Sequence, residues 1–240
     1  MRALHKAACW ALGITFTAIA LMAYSPSATA LVIDRAIAST FHVAILAKGS
    51  QREGVASAFS IGEGLVVTAH HVTEGVEFPI TLYDYSGKKH KAELVGGNPG
   101  VDVAVLRIKD TSIPAMAKAT SPVKHGERMG MIGSPFGMKF TVTEGLVSHP
   151  KRVLGVQNKW PGLPYVIQTS APCQPGNSGG PIFNEKQELL GLVSALYNPS
   201  RTQFMGIFGI SICLNIPAPA IYEAVDKIMD LDQYPGYRQW

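Results

Sequence analysis

Residues 174–181 read Gln174-Pro175-Gly176-Asn177-Ser178-Gly179-Gly180-Pro181 and stand directly before a short apolar segment. A serine flanked by glycines on a tight turn exposes its hydroxyl and leaves room for a carbonyl group to approach. Glycine also permits the backbone angles that aim successive N–H groups at one point, which is what a tetrahedral oxyanion requires. An ordinary glycine-rich turn explains a shorter string equally well, so the hypothesis of a nucleophilic serine depends on its partners.

A histidine pair at the end of an apolar segment supplies a candidate general base. The segment is Val66-Val67-Thr68-Ala69-His70-His71-Val72, and a histidine at the end of a rigid strand can project into a cleft. A single histidine more often has a structural role. Two adjacent residues on an extended segment face opposite sides, so only one of His70 and His71 can serve as the base.

An acidic residue inside an apolar segment supplies the candidate that orients the histidine. Asp102 lies in the predicted strand 101–108, where a carboxylate is costly unless a donor pairs with it. A histidine N–H would satisfy that carboxylate and fix the imidazole tautomer. A strand-edge aspartate is the structural alternative, and Asp84 and Asp110 have the surroundings typical of that kind.

Beyond residue 31 the chain has the pattern of an all-β protein with one terminal helix. Residues 111–124 separate two groups of six short apolar or alternating segments, which predicts two sub-barrels joined by a linker. Past Pro217, residues 220–231 show the periodicity of an amphipathic helix that begins at prolines. The twelve predicted strands are 41–47, 58–61, 65–68, 80–85, 92–95, 101–108, 128–132, 140–148, 165–169, 181–183, 189–196 and 205–216.

Composition excludes several classes of protein. The 240 residues are 47% hydrophobic and 16% charged, so a disordered or collagen-like chain is excluded. The net charge of +4 is too small and too dispersed to indicate nucleic acid as a partner. No cluster of cysteine and histidine has metal-ligand spacing, so we expect no metal and no cofactor.

Residues 1–30 differ in kind from the rest. A basic start with Arg2 and Lys6 precedes a run of eighteen uncharged residues at 7–24, and the stretch ends on Ala28-Thr29-Ala30. This pattern is typical of a secretory signal cleaved after Ala30. An uncleaved anchor is the alternative, since a run of this length barely crosses a bilayer of about 30 Å. We expect an exported protein, either periplasmic or secreted, or one held at the membrane by its N-terminus.

The three motifs, in this order, resemble the His, Asp and Ser blocks of chymotrypsin-fold serine proteases, and most closely the HtrA (Deg) branch. The resemblance covers roughly residues 35–230. Further strings similar to that branch are Gly133-Ser134-Pro135-Phe136-Gly137, Thr141-Val142-Thr143-Glu144-Gly145-Leu146-Val147-Ser148 and Val166-Ile167-Gln168-Thr169.

The resemblance implies a trypsin-like protease domain at residues 31–231, built from two six-stranded antiparallel β-barrels and a C-terminal helix. The barrels are expected at about 35–110 and about 125–216, and a tail at 232–240. We expect no PDZ domain, which is usual in the HtrA branch, because the residues left beyond the protease domain are too few to form one. The resemblance also implies polypeptide substrates, and the frequent trimers of that branch imply homo-oligomers.

The resemblance assigns a residue to each catalytic role. Ser178 matches the nucleophile, His71 rather than His70 the base, and Asp102 the residue that orients it. Backbone N–H groups of Gly176 and Ser178, with the turn at Asn177 between them, would bind the oxyanion. Asn177 stands where digestive proteases have an aspartate that pairs with a freed N-terminus. We therefore expect no zymogen cleavage beyond leader removal, and control by the loops at 136–140 and 169–174.

The same resemblance implies a specificity pocket without an acidic residue, which favours a small or medium apolar substrate side chain. The expected pocket contains Cys173 and Cys213, the two cysteines beyond the leader, which either form a bridge or remain buried thiols. The residues expected to line the pocket are Pro172, Cys173, Gln174, Ser194, Ala195, Leu196 and Cys213.

Two other functions remain open from the sequence. A chymotrypsin-like fold can act as an inactive binding module or chaperone, because fold alone does not give activity. An esterase could use the same triad, since the chemistry is the same acyl transfer. The strand-to-turn setting of Ser178 differs, however, from the strand-to-helix elbow of α/β-hydrolases.

Overall fold

The structure is a computed structural model, and it describes residues 30–49, 53–155, 159–197 and 212–229. Val32 is the first residue of the compact unit that contains every described strand. The leader up to residue 29, the first part of the predicted strand 205–216 and the tail 232–240 lie outside the described residues.

The first barrel closes because all six of its strands carry apolar side chains toward one interior. Phe41, Phe59, Leu82 and Leu106 are fully buried there. The strands are antiparallel and pair in the order β1-β2-β3-β6-β5-β4. Their bounds are β1 (Thr40–Leu46), β2 (Glu53–Gly62), β3 (Leu65–Thr68), β4 (Ile80–Tyr83), β5 (Lys89–Asn98) and β6 (Val103–Arg107).

The second barrel is built in the same way around a core that includes Met129, Met131, Ile167 and Ile182. Its antiparallel strands follow the order β11-β8-β9-β10-β13-β12, and pairing of β11 with β12 closes it. The strands are β8 (Arg128–Gly133), β9 (Thr141–Arg152), β10 (Val166–Thr169), β11 (Pro181–Asn184), β12 (Glu188–Tyr197) and β13 (Ile212–Pro217).

The predicted all-β class with two six-stranded barrels and a C-terminal helix is confirmed. Each predicted segment overlaps a strand, the last of them from Ile212 onward. Two elements were not predicted. Strand β7 (Ala117–Lys118) lies in the expected linker and pairs in parallel with β12, and helix α1 (Asp34–Ala38) precedes β1. Hydroxyl groups of Ser39 and Thr40 bond to the last turn of α1.

Helix α2 (Ala218–Ile228) starts two residues before the predicted position, and its last predicted residues, 230–231, fall outside the description. Pro217 and Pro219 fix the backbone at its start. Ile221, Ala224 and Val225 form its buried face, which is why the helix packs onto the barrels. Among the helices of the described residues, none has the length and apolar character needed to cross a membrane.

Cys173 and Cys213 form a disulfide, with their Cα atoms 5.9 Å apart. This resolves the alternative that the sequence left open. The bridge joins the segment that leads to Ser178 with β13, and both of its cysteines are buried in the core of the second barrel.

Candidate active site

His71 lies on a short 3₁₀ turn (His70–Val72) that follows β3. The expectation of an extended segment at this position was wrong. Thr73 closes the turn, because its backbone N–H and its hydroxyl both donate to the carbonyl oxygen of His70 at 2.8 and 2.7 Å. The two imidazoles still diverge. Nδ1 of His71 contacts Asp102, whereas Nδ1 of His70 lies 3.3 Å from a carboxylate oxygen of Glu74.

Asp102 lies in the turn immediately before β6, and not inside the strand as the sequence suggested. Its φ of 57° is left-handed, a region that aspartate tolerates better than most residues. This conformation turns its side chain toward His71. The backbone N–H of His71 donates to Oδ1 at 3.0 Å, and Nδ1 lies 3.0 Å from Oδ2. The carbonyl oxygen of Asp102 accepts from the N–H of His70 at 3.2 Å.

A second donor reaches the same carboxylate from the other barrel. The buried hydroxyl of Ser194, on β12, donates to Oδ2 of Asp102. Burial works to raise the pKa of Asp102, but the hydrogen bonds from His71 and Ser194 outweigh it and hold the pKa below its ordinary value. Asp102 is therefore an ionised acceptor at neutral pH.

The ionised carboxylate determines the tautomer of His71. Because both oxygens of Asp102 only accept, we assign the proton to Nδ1, which leaves Nε2 with a free lone pair. The side chain of His71 is 44% exposed while that of Asp102 is 7% exposed. The imidazole is thus held from its buried side and open to a substrate on the other.

The turn that contains Ser178 requires a glycine at position 179, because the neighbouring atoms leave no space for a side chain. Gly179 has a φ of 86°, and a β-carbon there would collide with Ser57 and Thr68 and lie 3.0 Å from the backbone nitrogen of Ala69. Thr68 and Ala69 lead directly into the histidine turn. The serine turn therefore packs against the segment that presents His71, which is the juxtaposition that the sequence motifs predicted.

Hydrogen bonds fix this turn between the two barrels. The N–H of Ser57 on β2 donates to the carbonyl oxygen of Ser178 at 2.9 Å, and the N–H of Gly179 donates to that of Val193 on β12 at 2.7 Å. The hydroxyl of Ser57 also donates to the carbonyl oxygen of Gly176 at 2.8 Å. Ser57 was not predicted as part of the site. Ser57 directly precedes the predicted segment 58–61, and it lies inside β2 only in the structure.

Two backbone donors in the turn remain free. Within the described residues, neither the N–H of Gly176 nor that of Ser178 donates to another protein group. The N–H of Asn177, between them, donates to the carbonyl oxygen of Gln174 at 3.0 Å. The buried amide of Asn177 packs over Gly133, where a β-carbon would have no space. Such a pair of free donors is what an oxyanion would require.

The residues expected to line the pocket do not share one environment. Pro172 and Gln174 are exposed and Ala195 is half-buried. Cys173 and Cys213 are buried as the disulfide behind them. The hydroxyl of Ser194 is turned to Asp102, so its side chain does not face a pocket. The side chain of Leu196 falls outside the description.

Asp84 lies directly after β4, the strand-edge position expected from the sequence, but it has a specific partner. It is buried, and one of its carboxylate oxygens lies 2.8 Å from Nε2 of His90. This pair belongs to the first barrel and is separate from the His71 site. In the part of the chain that the structure describes, no group of three or more His, Cys, Asp or Glu residues could hold a metal ion.

Comparison with known proteins shows which family the chain belongs to. The model of the trypsin-like peptidase domain matches residues 56–192. A probable periplasmic serine endoprotease, DegP-like, from Marinomonas sp. is 36% identical over 181 residues, covering 74% of this chain and 36% of the relative. A relative of the same description from Halomonas elongata is 37% identical over 183 residues, with the same coverage of 74% and 36%.

Solved structures agree with these relatives. HtrA-type protease AlgW with tripeptide superposes with a TM-score of 0.72 at 30% identity, covering 82% of this chain and 62% of that one. The chain spans only 36% of the length of the two curated relatives.

Proposed function

The chain belongs to the family of trypsin-like peptidase domains, and from this membership we propose that it is a serine endopeptidase. The observation that carries the proposal is the 3.0 Å contact between Nδ1 of His71 and Asp102, beside the turn of Ser178. The name of the DegP-like relatives as serine endoproteases supports it.

The reaction begins at Ser178. Its Oγ attacks the carbonyl carbon of the peptide bond while Nε2 of His71 removes the hydroxyl proton. The π electrons of the carbonyl move to oxygen, and the free N–H groups of Gly176 and Ser178 stabilise the resulting oxyanion. When the tetrahedral intermediate collapses, the C–N bond breaks and His71 donates its proton to the leaving amine. Water then hydrolyses the acyl-enzyme by the same route.

Asp102 does not exchange a proton in this scheme. It keeps His71 in the tautomer that accepts at Nε2 and stabilises the imidazolium that forms after attack. The low pKa of its carboxyl group fits this role, because the carboxylate stays charged throughout the cycle.

The substrate is a polypeptide with a small or medium apolar side chain before the scissile bond. Pro172, Gln174 and Ala195 are the accessible pocket residues, and none carries a charge that could pair with lysine or arginine. We also propose that the protein acts outside the cytoplasm, as the periplasmic relatives do, and that it forms homo-oligomers. Whether the leader is cleaved or serves as an anchor is decided by N-terminal sequencing of the exported protein.

Turnover of casein or of quenched peptides by the purified mature protein tests the proposal. Ser178→Ala should reduce kcat by about 10⁶, and a fluorophosphonate probe should label the wild type at Ser178 only. Equal turnover by the two proteins would overturn the assignment. A protein that binds peptides but takes no label would be an inactive binding module, and one that cleaves esters but no peptides an esterase.

A further inference from the structure

Two large apolar side chains lie exposed next to the serine turn. Phe136 is 66% and Met138 is 58% exposed, although the loop at 134–140 that carries them is well ordered by hydrogen bonds. The N–H of Gly137 donates to Ser134 at 3.0 Å, and the N–H of Met138 donates to Pro135 at 2.9 Å. The exposure therefore belongs to a defined backbone, which also holds Phe136 at a φ of 52°, unusual for an aromatic residue.

The loop is attached to the turn that holds the proposed oxyanion donors. The N–H of Phe136 donates to the carbonyl oxygen of Pro175 at 2.9 Å, and Gly176 packs directly on the carbonyl oxygen of Ser134. Pro175 is the residue before Gly176. Phe136 is thus hydrogen-bonded to the residue next to a proposed oxyanion donor.

The other end of the loop is attached to the first barrel. The rings of Phe140 and Tyr85 meet edge to face at 5.3 Å, and the ammonium of Lys139 lies 4.0 Å from the centre of the Tyr83 ring. The charge of Lys139 is therefore directed to Tyr83. The surface that Phe136 and Met138 present is apolar.

The peptide unit between Ser178 and Gly179 tells which half of a substrate this surface faces. Its carbonyl bonds to Ser57 on β2, and its N–H bonds to Val193 on β12. The C=O and N–H of a trans peptide point in opposite directions, so β2 and β12 flank Ser178 on opposite sides. The proposed pocket for the acyl half lies on the β12 side. A β-carbon at Gly137 would lie 3.9 Å from Val55 of β2, which puts the loop on the side of the leaving half.

We propose that Phe136 and Met138 bind the part of the substrate that follows the scissile bond and select an apolar side chain there. The inference rests on the proposed peptidase function and deepens it. Pro175, to which Phe136 is hydrogen-bonded, is three residues from Ser178 in the chain, and three extended residues span at most about 10 Å. We therefore place the preferred side chain within the first three positions after the bond.

The test compares two substrates that share one acyl half. One is a quenched peptide with leucine in the first three positions after the bond, and the other is an aminocoumarin amide that has no residue there. The double variant F136A/M138A should lower the ratio of kcat/KM for the peptide to that for the amide by about tenfold. V153A removes an apolar side chain elsewhere that is at least as exposed as Phe136 and Met138, and it should leave the ratio unchanged.

A second comparison changes the substrate and keeps the protein the same, so its result does not depend on how well the variant folds. Replacing the three leucines by lysine should slow the wild type about tenfold, and should hardly slow the double variant. An equal loss on both substrates, or discrimination that persists in the variant, would overturn the inference. If the double variant with an equal loss on both substrates also differs from the wild type in sedimentation coefficient, the surface binds a second copy of the chain and the inference is likewise overturned. Failure of the proposed function itself gives a different result, because the wild type would then cleave neither substrate.

Discussion

The hydroxyl of Ser194 donates a hydrogen bond to Oδ2 of Asp102, the carboxylate oxygen that also lies 3.0 Å from Nδ1 of His71. The two donors come from different barrels, since Ser194 lies on β12 and His71 follows β3. The buried carboxylate is therefore stabilised across the boundary between the barrels.

Replacing Ser194 by alanine removes one of the groups that lower the pKa of Asp102. The pKa of Asp102 should therefore rise. Activity depends on the charge of Asp102, so when the pH is lowered the variant should lose activity at a higher pH than the wild type does. A hydrogen bond to a charged group contributes about 2 kcal/mol. We therefore expect kcat to fall by about tenfold to a hundredfold. The pH profile of kcat is the measurement. Ser112→Ala removes an exposed serine hydrogen bond to Asp110 and should leave the profile unchanged.

Gly179→Ala should abolish activity and lower the stability of the protein. The new methyl group would collide with the carbonyl oxygen of Ser57 and with Thr68, so the turn would have to move Ser178 away from His71. Gly87→Ala is the matched control, since Gly87 has a φ of 87° but nothing within 4 Å. It should cost only the backbone strain of about 1 kcal/mol. Thermal unfolding and peptide turnover of both variants would reveal the difference, and equal effects would contradict a role for the collision.

Loss of the disulfide should destabilise the second barrel. The bridge spans a sequence separation of 40 residues, for which the chain-entropy model gives about 4 kcal/mol. The variant C173A/C213A should therefore melt about 10 °C below the wild type. Dithiothreitol should lower the melting temperature of the wild type and leave that of the variant unchanged. A wild type insensitive to the reductant would show that the bridge contributes little.

His42 should make the protein less stable as the pH falls. Its side chain is buried, and burial, aided by the charge of Lys139, lowers the pKa of His42 to about 4. The unfolded chain takes up this proton near pH 6.5, so stability is complete above that pH and decreases between it and about pH 4 by about 3 kcal/mol.

Urea unfolding at about pH 7 and about pH 4.5 measures this effect. His42→Gln should reduce the difference in unfolding free energy between the two pH values, because the glutamine does not titrate. His125→Gln, at an exposed histidine, should keep the wild-type difference. An unaltered difference in His42→Gln would assign the pH dependence to other groups.

The strands and the three motifs of the candidate site could be predicted from the sequence because each depends on local pattern. Apolar alternation and glycine turns define β1–β6 without knowledge of their partners, and Ser178 sits in a string of unusual composition. Strand β7 could not be predicted, since its two residues become a strand only by pairing with β12. The left-handed backbone of Asp102 and the 3₁₀ turn at His70 likewise depend on tertiary hydrogen bonds.

Ser194 shows a signal that the sequence did contain. A serine inside the apolar segment 189–196 raises the same question as Asp102 does, namely which partner satisfies a buried polar group. Taken together, the two residues would have predicted each other. The family resemblance instead assigned Ser194 to the expected pocket wall, together with its neighbours Ala195 and Leu196.

The division of the site between the barrels has a consequence for synthesis. His71 and Asp102 leave the ribosome first, and Ser178 follows only after much of the second barrel. That barrel is complete only when β13 has paired with β10 and β12. The disulfide that holds the segment before Ser178 also needs β13. If the proposed function holds, a growing chain carries the base without a usable nucleophile until β13 has been made, so its hydrolytic chemistry can begin only after the second barrel has formed.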